Sequence, residues 1–431
     1  MKILKFGGAS IKDAVGVKNL KKALKVTGVS NTLIVVSAMG KTTNSLEKVV
    51  DNYFNSKHEL QSSFQEVKKY HNEILLDLFE DENEAVFNKV SKLLDELTLF
   101  FERNKSPDFN FVYDQIIIYG ELVSTTIISH YLNKIGIKNS WLDVREVIKT
   151  NQNYRNAKVI WKQTQEKIKS TLNPKELIVT QGFIGSDSNN FSTTLGREGS
   201  DYTAAIFAYC LNAKGVYFWK DVAGVLNADP RYFNNTVLLE TLSYEEAIEL
   251  SYYGASVIHP KTLQPLQRKE IPLYVKSFLS PTKSGTSISK GLKLKPNVPC
   301  FILRENQVLI SLSSMDFSYI VEDNISHIFK LLHSYKMKVH LIQNSAISFS
   351  VCIENTFNNL NELILKLKAK FNIVLYDKVS IYTIRNYDND SITKIEKDKL
   401  VLIKQITPKT IQIVTKSSNW CAFGIIFILN I

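Results

Sequence analysis

Residues 192–201 read Ser-Thr-Thr-Leu-Gly-Arg-Glu-Gly-Ser-Asp and stand directly before an apolar, helix-prone run at 202–211. Exposed backbone N–H groups at the glycines, a helix N-terminus and the guanidinium of Arg197 meet here, a combination suited to a carboxylate or a phosphate. Asp201 adds a carboxylate, and both signs of charge together suit a zwitterionic substrate or a metal–phosphate. The alternative is a glycine-rich turn with a surface arginine and an aspartate cap. The segment alone does not separate these two interpretations.

Four other segments share one sequence pattern, a short apolar run that is followed by small or polar residues. They are residues 3–6 before Gly7-Gly8-Ala9-Ser10, 33–36 before Ser37-Ala38-Met39-Gly40, 177–179 before Thr180-Gln181-Gly182, and 216–219 before Lys220-Asp221. Short apolar strands that alternate with helical patterns predict a parallel α/β sheet. Ligands of open α/β sheets lie beyond the carboxyl ends of the strands. We therefore expect the glycines of these turns, Lys5, Ser37, Arg197 and Asp221 to border one crevice.

The composition of the 431 residues, 44% hydrophobic and 22% charged, is typical of two or three globular domains. The net charge is +11, but the lysines are scattered and no arginine-rich or aromatic-interleaved basic tract occurs, so we expect no nucleic-acid partner. The four cysteines are far apart, which predicts reduced thiols, and the histidines show no metal-ligand spacing. The start of the chain reads as a strand rather than a signal peptide, and the apolar run at 422–429 is too short to span a bilayer. These features predict a cytoplasmic protein with no membrane partner.

The hydrophobic patterns predict a first domain at 1–290 and a C-terminal region at 300–431. Residues 57–105 are charged, helix-forming and free of Gly and Pro, which predicts a helical excursion. The segment 280–295 is rich in Ser, Pro, Gly and Lys and is interpreted as a linker. Residues 305–372 show the β-α-β-β-α-β order of a small ferredoxin-like unit, and a second, shortened unit follows. We therefore expect a catalytic body followed by a regulatory tail.

The residues at the predicted strand ends fit phosphoryl transfer better than other chemistries. A nucleotide P-loop fails, because Gly40-Lys41-Thr42 has the required ending but Val35 stands where glycine is needed. No G-x-G-x-x-G motif is present. What remains is a lysine, a Gly-Gly turn, an arginine-bearing anion loop and two acids, Asp201 and Asp221. Phosphoryl transfer needs cations for the developing charge, backbone N–H groups for the phosphates, and acids for a metal or a substrate amine.

Four stretches resemble motifs of the aspartate kinases. Residues 5–10, Lys-Phe-Gly-Gly-Ala-Ser, are similar to the Lys-Phe-Gly-Gly-Thr-Ser opening of that family, residues 194–205 to its substrate loop, 221–231 to its nucleotide segment, and 243–260 to a further stretch. The tail resembles ACT domains, so the similarity covers nearly the whole chain in the order of the family. The resemblance implies a mainly parallel sheet sandwiched by helices, the amino-acid kinase fold, followed by ferredoxin-like ACT units.

The same resemblance implies an activity. It is the ATP- and Mg²⁺-dependent phosphorylation of the β-carboxylate of L-aspartate, which gives 4-phospho-L-aspartate and ADP. This reaction is the first step toward lysine, threonine and methionine. A homodimer through the ACT region is also implied. Because the carboxylate is already a nucleophile, positioning and charge neutralisation suffice and no strong base is needed.

Roles for single residues come from the resemblance by position. Catalytic roles are implied for Lys5 and Asp201. The residues implied to bind aspartate are Thr43, Glu121, Arg197 (on the α-carboxylate), Glu198, Gly199 and Ser200. The residues implied to bind ATP are Lys5, Gly7, Gly8, Ser37, Lys220, Asp221, Leu226, Arg231, Ser256 and Val257. Regulatory positions are Met315, Asn344 and Ser345, and no protein metal ligand is implied.

Several residues depart from the family pattern. Lys220 replaces a threonine before the nucleotide aspartate, and Ser256 replaces a lysine, so our hypothesis is that Lys220 supplies the missing charge. In the turn that resembles a lysine-binding site, His340 takes an acidic position and Ala346 replaces a glutamate, which predicts weak lysine feedback. Two alternatives stay open: another amino-acid kinase, such as a glutamate kinase, and a catalytically weak ACT-type sensor. The sensor predicts damaged catalytic positions, yet Lys5, Glu121, Arg197, Asp201 and Asp221 are all present.

Overall fold

Helices and strands alternate through the first two thirds of the chain. The computed structural model describes residues 1–173, 175–255, 258–316 and 318–417. In chain order the elements of this part are β1 Lys2–Phe6, α1 Ala14–Thr27, β2 Thr32–Val36, α2 Thr42–Asn55, α3 Lys57–Leu78, α4 Ala85–Arg103, α5 Phe109–Ile117, α6 Tyr119–Lys134, β3 Ser140–Leu142, α7 Val144–Val147, α8 Trp161–Thr171, β4 Leu177–Gln181, β5 Ile184–Ser186, β6 Ser192–Thr194, α9 Gly199–Leu211, β7 Gly215–Lys220, β8 Thr241–Leu242, α10 Tyr244–Tyr253, α11 Pro260–Arg268, β9 Leu273–Ser277 and β10 Thr286–Ile288.

The remaining elements belong to the C-terminal part of the chain. They are β11 Cys300–Ser314, α12 Glu322–Ser334, β12 Lys338–Asn344, β13 Ser348–Glu354, α13 Leu360–Lys368, β14 Phe371–Arg385, α14 Asn389–Glu396, β15 Lys399–Ile406 and β16 Thr410–Ser417. The chain divides into two compact units. The first comprises Met1–Leu226, Leu238–Ser251 and Ser256–Pro296, and the second comprises Asn227–Val237, Tyr252–Ala255 and Asn297–Ile431.

The core of the first unit is a mainly parallel sheet, as the sequence predicts. Within the described residues it has eight strands in the order β3-β4-β2-β1-β7-β9-β10-β8. Parallel pairing joins six strands of this sheet, which are β3, β4, β2, β1, β7 and β9 in that order. The next strand, β10, runs antiparallel to β9. All five residues of β2 and of β4 are buried, which is the signature of strands covered by helices on both faces.

The segment 280–295 is not a plain linker, because its residues Thr286–Ile288 form β10 in this sheet. Thr286 is buried, and its hydroxyl donates to the carbonyl of Leu239 at 2.6 Å. The strand has three residues and lies in a segment rich in turn-forming residues. Because that composition is typical of a loop, the sequence pattern does not predict the strand. The interpretation of the segment as a linker was therefore wrong.

A long apolar stretch runs through α5 and α6. By length and composition, Phe109–Lys134 is the one helical segment of the described residues that passes the test for a membrane span. However, 83% of the 18-residue apolar stretch within this segment is buried inside the protein. This burial is typical of a core helix. Glu121 lies near the start of α6 and is itself buried.

The second unit contains an antiparallel sheet covered by helices. Among the described residues its six strands have the order β12-β13-β11-β14-β16-β15. The succession β11-α12-β12-β13-α13-β14 is the ferredoxin-like order that the sequence predicts. β11 and β14 pair along most of their lengths, so the strand pair is shared with a second, shorter repeat built from α14, β15 and β16. The ACT-like fold class is thereby confirmed.

Candidate active site

Three neighbouring strands of the first unit end side by side. Phe6 at the end of β1 pairs with Val36 at the end of β2 and with Trp219 near the end of β7. Because parallel strands expose their carboxyl ends at one edge of the sheet, the residues that follow them meet there. A cleft of about 500 Å³ lies at this edge, and Lys5, Ser37 and Lys220 line it.

The turns that follow β1 and β2 are in backbone contact. A Cβ atom on Gly8 would lie 2.6 Å from the carbonyl oxygen of Ala38 and 3.0 Å from that of Gly40, so a side chain at this position would force the two turns apart. The amide of Gly40 donates to the carbonyl of Gly8 at 3.1 Å. Glycine at position 8 therefore allows the turns after β1 and β2 to pack against each other.

Helix α9 begins at the cleft. Its N-cap residue, Glu198, has a left-handed backbone with φ of 53°, and Gly196 two residues earlier has φ of 78°. Asp201 lies in the first turn of the helix and is buried. The N-terminal N–H groups and the helix dipole thus add positive potential to a cleft that Arg197 also lines.

Asp201 joins two lysines at the floor of the cleft. Its Oδ1 lies 2.7 Å from Nζ of Lys5, and its Oδ2 lies 3.4 Å from Nζ of Lys220. Burial by itself would raise the pKa of Asp201, but the two ammonium groups outweigh this effect and hold the pKa below its usual range. Asp201 is therefore ionised at neutral pH and holds the two ammonium groups at the cleft.

Glu121 places a carboxylate in the wall of the same cleft. Its Oε1 accepts a hydrogen bond from the amide of Ala38 at 3.3 Å, and Oε2 is buried with no hydrogen-bond partner among the described residues. Burial raises the pKa of Glu121 to about 8, against a smaller lowering by the Ala38 amide. A buried acid with an unused oxygen is suited to bind an ammonium group, which would satisfy the oxygen and favour the ionised form.

The cleft brings together ten of the residues that the sequence assigns to function. They are Lys5, Ser37, Thr43, Glu121, Arg197, Glu198, Gly199, Ser200, Asp201 and Lys220. Other assigned residues do not line it. They are Gly7 and Gly8 in the β1 turn, the exposed Asp221, the half-buried Leu226, and Arg231, whose guanidinium pairs with Asp229 at 2.5 Å. Ser256 and Val257 lie outside the described residues.

Five further residues line the cleft without having been singled out. They are Tyr113, Arg155, Phe183, Thr194 and Gly196. Thr194 and Gly196 belong to the glycine-rich segment 192–201, and Phe183 follows the glycine that ends a predicted strand, so the signals for these three were present. Tyr113 and Arg155 carry no such signal, because they reach the cleft from α5 and from the segment between α7 and α8.

No group of three or more His, Cys, Asp or Glu side chains suited to hold a metal ion occurs among the described residues. Both oxygens of Asp201 already face lysines, so this acid is a poor metal ligand in the present arrangement. The cations of the cleft are suited to phosphate oxygens.

The assigned regulatory residues lie in the second unit. Met315 and Ser345 are exposed, and Asn344 is the exposed last residue of β12. Nearby in the sequence, His340 Nε2 lies 3.1 Å from Oε2 of Glu354. Burial and the neighbouring Arg304 lower the pKa of His340, against the opposing effect of Glu354. No ligand contact of Met315, Asn344 or Ser345 is defined by these positions, so their regulatory role stays a prediction.

The fold and the cleft define the class of the protein. A helix-covered parallel sheet carries cations, an acid and a helix N-terminus at its strand ends, which is an arrangement for phosphoryl transfer to a small charged substrate. The model of the amino acid kinase family matches residues 1–277. The chain belongs to this family and, by the relatives that follow, to its aspartokinases.

Two curated relatives illustrate the similarity. Lysine-sensitive aspartokinase 3 of Escherichia coli K12 is 30% identical over 348 residues, which cover 80% of this chain and 76% of that protein. Bifunctional aspartokinase/homoserine dehydrogenase 2 of Arabidopsis thaliana is 32% identical over 322 residues, 71% of this chain. The match covers 35% of the plant protein, so the chain spans about a third of that relative.

Solved structures agree with this assignment. Escherichia coli aspartokinase III in complex with lysine and aspartate has a TM-score of 0.80 and 26% identity, over 97% of this chain and 96% of that chain. The same enzyme in complex with aspartate and ADP has a TM-score of 0.79 at 26% identity. The similarity therefore extends over both units of the chain.

Proposed function

We propose that this protein is an aspartate kinase, which transfers the γ-phosphoryl group of ATP to the β-carboxylate of L-aspartate. The observation that carries the proposal is the cleft that holds Lys5, Asp201 and Lys220 beside the unpartnered oxygen of Glu121. The lysines are suited to neutralise charge on the transferred group, and Glu121 is suited to bind the substrate ammonium. The products are 4-phospho-L-aspartate and ADP, and the nucleotide enters as its magnesium complex.

An assay of the 431-residue chain with aspartate, ATP and Mg²⁺ tests this function. Hydroxylamine traps an acyl phosphate as a hydroxamate, so colour formation that depends on aspartate and ATP is the expected result. Glutamate in place of aspartate is the matched control, because it differs by one methylene. Equal or faster reaction with glutamate would favour another amino-acid kinase, and no hydroxamate with either substrate would favour a catalytically weak sensor.

Arg197 is proposed to bind the α-carboxylate of aspartate. Arg197→Ala is expected to raise the KM for aspartate by about tenfold or more, because a charged hydrogen bond to the substrate is lost. The KM for ATP is expected to change by less than about twofold. Steady-state titration of each substrate measures both values, with the exposed Arg103→Ala as a control outside the cleft. A change mainly in the KM for ATP would mean that Arg197 belongs to the ATP subsite and not to the aspartate subsite.

Aspartate binding is expected to depend on pH through Glu121. The pKa of this group is about 8 in the ligand-free protein, and the substrate ammonium needs its ionised form, so affinity rises as pH increases toward about 8. Calorimetric titration of aspartate from about pH 6 to pH 8 measures this slope, which approaches about tenfold per pH unit at the acid end. Glu121→Gln should bind aspartate more weakly with a flattened slope. An unchanged slope in the variant would assign the pH dependence to another group.

The same group affects stability in the absence of substrate. Because the folded-state pKa of Glu121 is raised above the ordinary value near 4.5, the folded chain binds more protons than the unfolded chain between about pH 4.5 and 8. The contribution of Glu121 to the free energy of unfolding therefore falls as pH rises through this window. Bound aspartate is expected to reduce that loss, since its ammonium would pair with the ionised carboxylate.

The second unit is proposed to pair two copies of the chain and to respond weakly to lysine. His340 and Ala346 supply no carboxylate for a ligand amine. We therefore expect low millimolar lysine, threonine or their mixture to inhibit little, and light scattering to show at least a dimer. Strong inhibition by lysine alone would mean that backbone groups around Ser345 suffice for binding, and a monomer would refute the pairing. A cytoplasmic location likewise stays a prediction.

A further inference from the structure

Arg155 lies in the wall of the cleft, although no sequence motif marks it. Its guanidinium carbon lies 4.3 Å from the ring centroid of Tyr113 and 5.6 Å from that of Phe109. Arg155 and Tyr113 both line the cleft. Tyr113 is itself held, because its hydroxyl donates to Oε1 of Glu47 at 2.8 Å. The guanidinium therefore rests on a fixed aromatic surface at the edge of the candidate active site.

The backbone of Arg155 adopts a conformation that arginine rarely takes. Its φ is 66°, in the left-handed region that favours glycine and asparagine. Asn153 and Asn156, which are of a type that takes this conformation more readily, stand close by in the sequence. The amide of Arg155 donates to Oδ2 of Asp114 at 3.0 Å. Residues held in unfavourable backbone conformations concentrate at functional sites, where surrounding contacts impose them.

Asp114 connects the Arg155 turn to the loop that carries Arg197. This fully buried carboxylate also accepts hydrogen bonds from the amide of Thr194 at 2.8 Å and from its hydroxyl at 2.7 Å. A Cβ atom on Gly196 would lie 3.4 Å from the carbonyl oxygen of Arg155, so the two segments are packed together beside Arg197. The arrangement positions two guanidinium groups around one cleft.

The guanidinium of Arg155 has donors to spare. Across residues 1–173, 175–255, 258–316 and 318–417, no hydrogen bond or ion pair of its guanidinium occurs. Arg145, by contrast, makes a bidentate contact with Asp143 through Nε and Nη2. An arginine that is held by stacking and by its backbone, with its N–H groups unused, is prepared to bind a carboxylate in two-pronged geometry.

We propose that Arg155 is a second substrate-binding arginine, which binds the non-reacting carboxylate of the amino-acid substrate together with Arg197. The lysines at the strand ends serve the phosphoryl group and Glu121 serves the ammonium. The wall formed by Tyr113, Arg155 and Gly196 is thus left for the second carboxylate. This inference rests on the proposed aspartate kinase activity. It makes the cleft selective for substrates that carry a carboxylate besides the one that is phosphorylated.

Steady-state kinetics of Arg155→Met and Arg155→Lys tests the inference. In Arg155→Met the KM for aspartate is expected to rise about tenfold or more, with the KM for ATP and kcat changed less than about threefold. Arg155→Lys keeps the charge but loses the planar fork, so its KM for aspartate should lie between those of the wild type and Arg155→Met. Calorimetric titration of aspartate should show the same order of affinities without turnover.

The control is Lys336→Met in the second unit. Lys336 also has a left-handed backbone, with φ of 56°, and its ammonium lies 5.4 Å from the ring centroid of Phe357, but it does not line the cleft. Its variant should keep the wild-type KM for aspartate. A KM for aspartate within twofold of wild type in Arg155→Met, or an equal rise in the KM for ATP, overturns the inference. Absence of aspartate phosphorylation by the wild type would instead refute the proposed function, so the two failures are distinguishable.

Discussion

Lys5→Ala is expected to lower turnover about 100-fold or more while aspartate still binds. Lys5 lies at the end of β1 with its ammonium 2.7 Å from Asp201, inside the cleft and buried from bulk water. A cation held in such a site stabilises charge that develops on the transferred phosphoryl group, and alanine leaves nothing in its place. Single-turnover and steady-state rates with saturating substrates measure the loss, and calorimetry measures aspartate binding.

Lys2→Ala is the matched control, because Lys2 belongs to the same strand but does not line the cleft. The ammonium of Lys2 instead binds the carbonyl of Thr27. Thermal unfolding of both variants separates catalysis from stability. Lys220 still pairs with Asp201 when Lys5 is removed. The loss in the free energy of unfolding should therefore be smaller than about 3–5 kcal/mol, the loss typical of a buried charge without its partner. Turnover of Lys5→Ala near the wild-type rate would exclude the catalytic role.

Asp201→Asn is expected to reduce turnover to a similar extent, about 100-fold. The carboxylate holds Lys5 and Lys220 in place, and the neutral amide removes the charge that offsets their mutual repulsion. The two ammonium groups would then separate, and the phosphoryl group would lose its positioned cations. The loss should appear in kcat more than in the KM for aspartate, because Glu121 and Arg197 remain. Initial-rate kinetics at saturating ATP checks this division.

Asp143→Asn provides the comparison for Asp201→Asn. Asp143 pairs with Arg145 at 2.6 Å and caps α7, but it does not line the cleft, so its variant should lose some stability and keep its turnover. The lowered pKa of Asp201 means that its stabilising contribution is present above the unfolded pKa near 3.8 and is lost as pH falls through the lower folded value. An Asp201→Asn enzyme with wild-type kcat would remove Asp201 from the catalytic machinery.

Much of the fold could be predicted from the sequence because its determinants are local. The runs that became β1, β2, β4 and β7 each combine buried apolar residues with small or polar residues at the carboxyl end. Because such residues directly follow their strands, the predicted parallel sheet also predicted a cleft at the strand ends, and Lys5, Ser37 and Arg197 line that cleft. The ferredoxin-like order of the second unit followed from periodicity in the same way.

The exceptions are features without a local signal. The strand β10 spans three residues within a turn-rich segment, so its own sequence carries no strand signal. Its pairing with β9 and β8 holds it in the strand conformation. Asp221 follows β7 as predicted, yet the structure leaves it exposed and away from the cleft lining. The direction in which a side chain leaves a strand end depends on the turn that follows, and a sequence pattern does not specify that turn.

The sequence by itself determined the class of sheet, the strand ends that form the site, and the motif residues from Lys5 to Asp201, because strand patterning and turn chemistry act over a few residues. Only the tertiary structure decided the charge state of these groups. Glu121 acquires a pKa of about 8 through burial by distant segments, whereas Asp201 stays ionised because Lys5 and Lys220 converge on it from two strands. The Arg155 turn likewise reaches the cleft through Asp114, far away in the sequence. Such long-range contacts set burial and electrostatics, which no local pattern encodes.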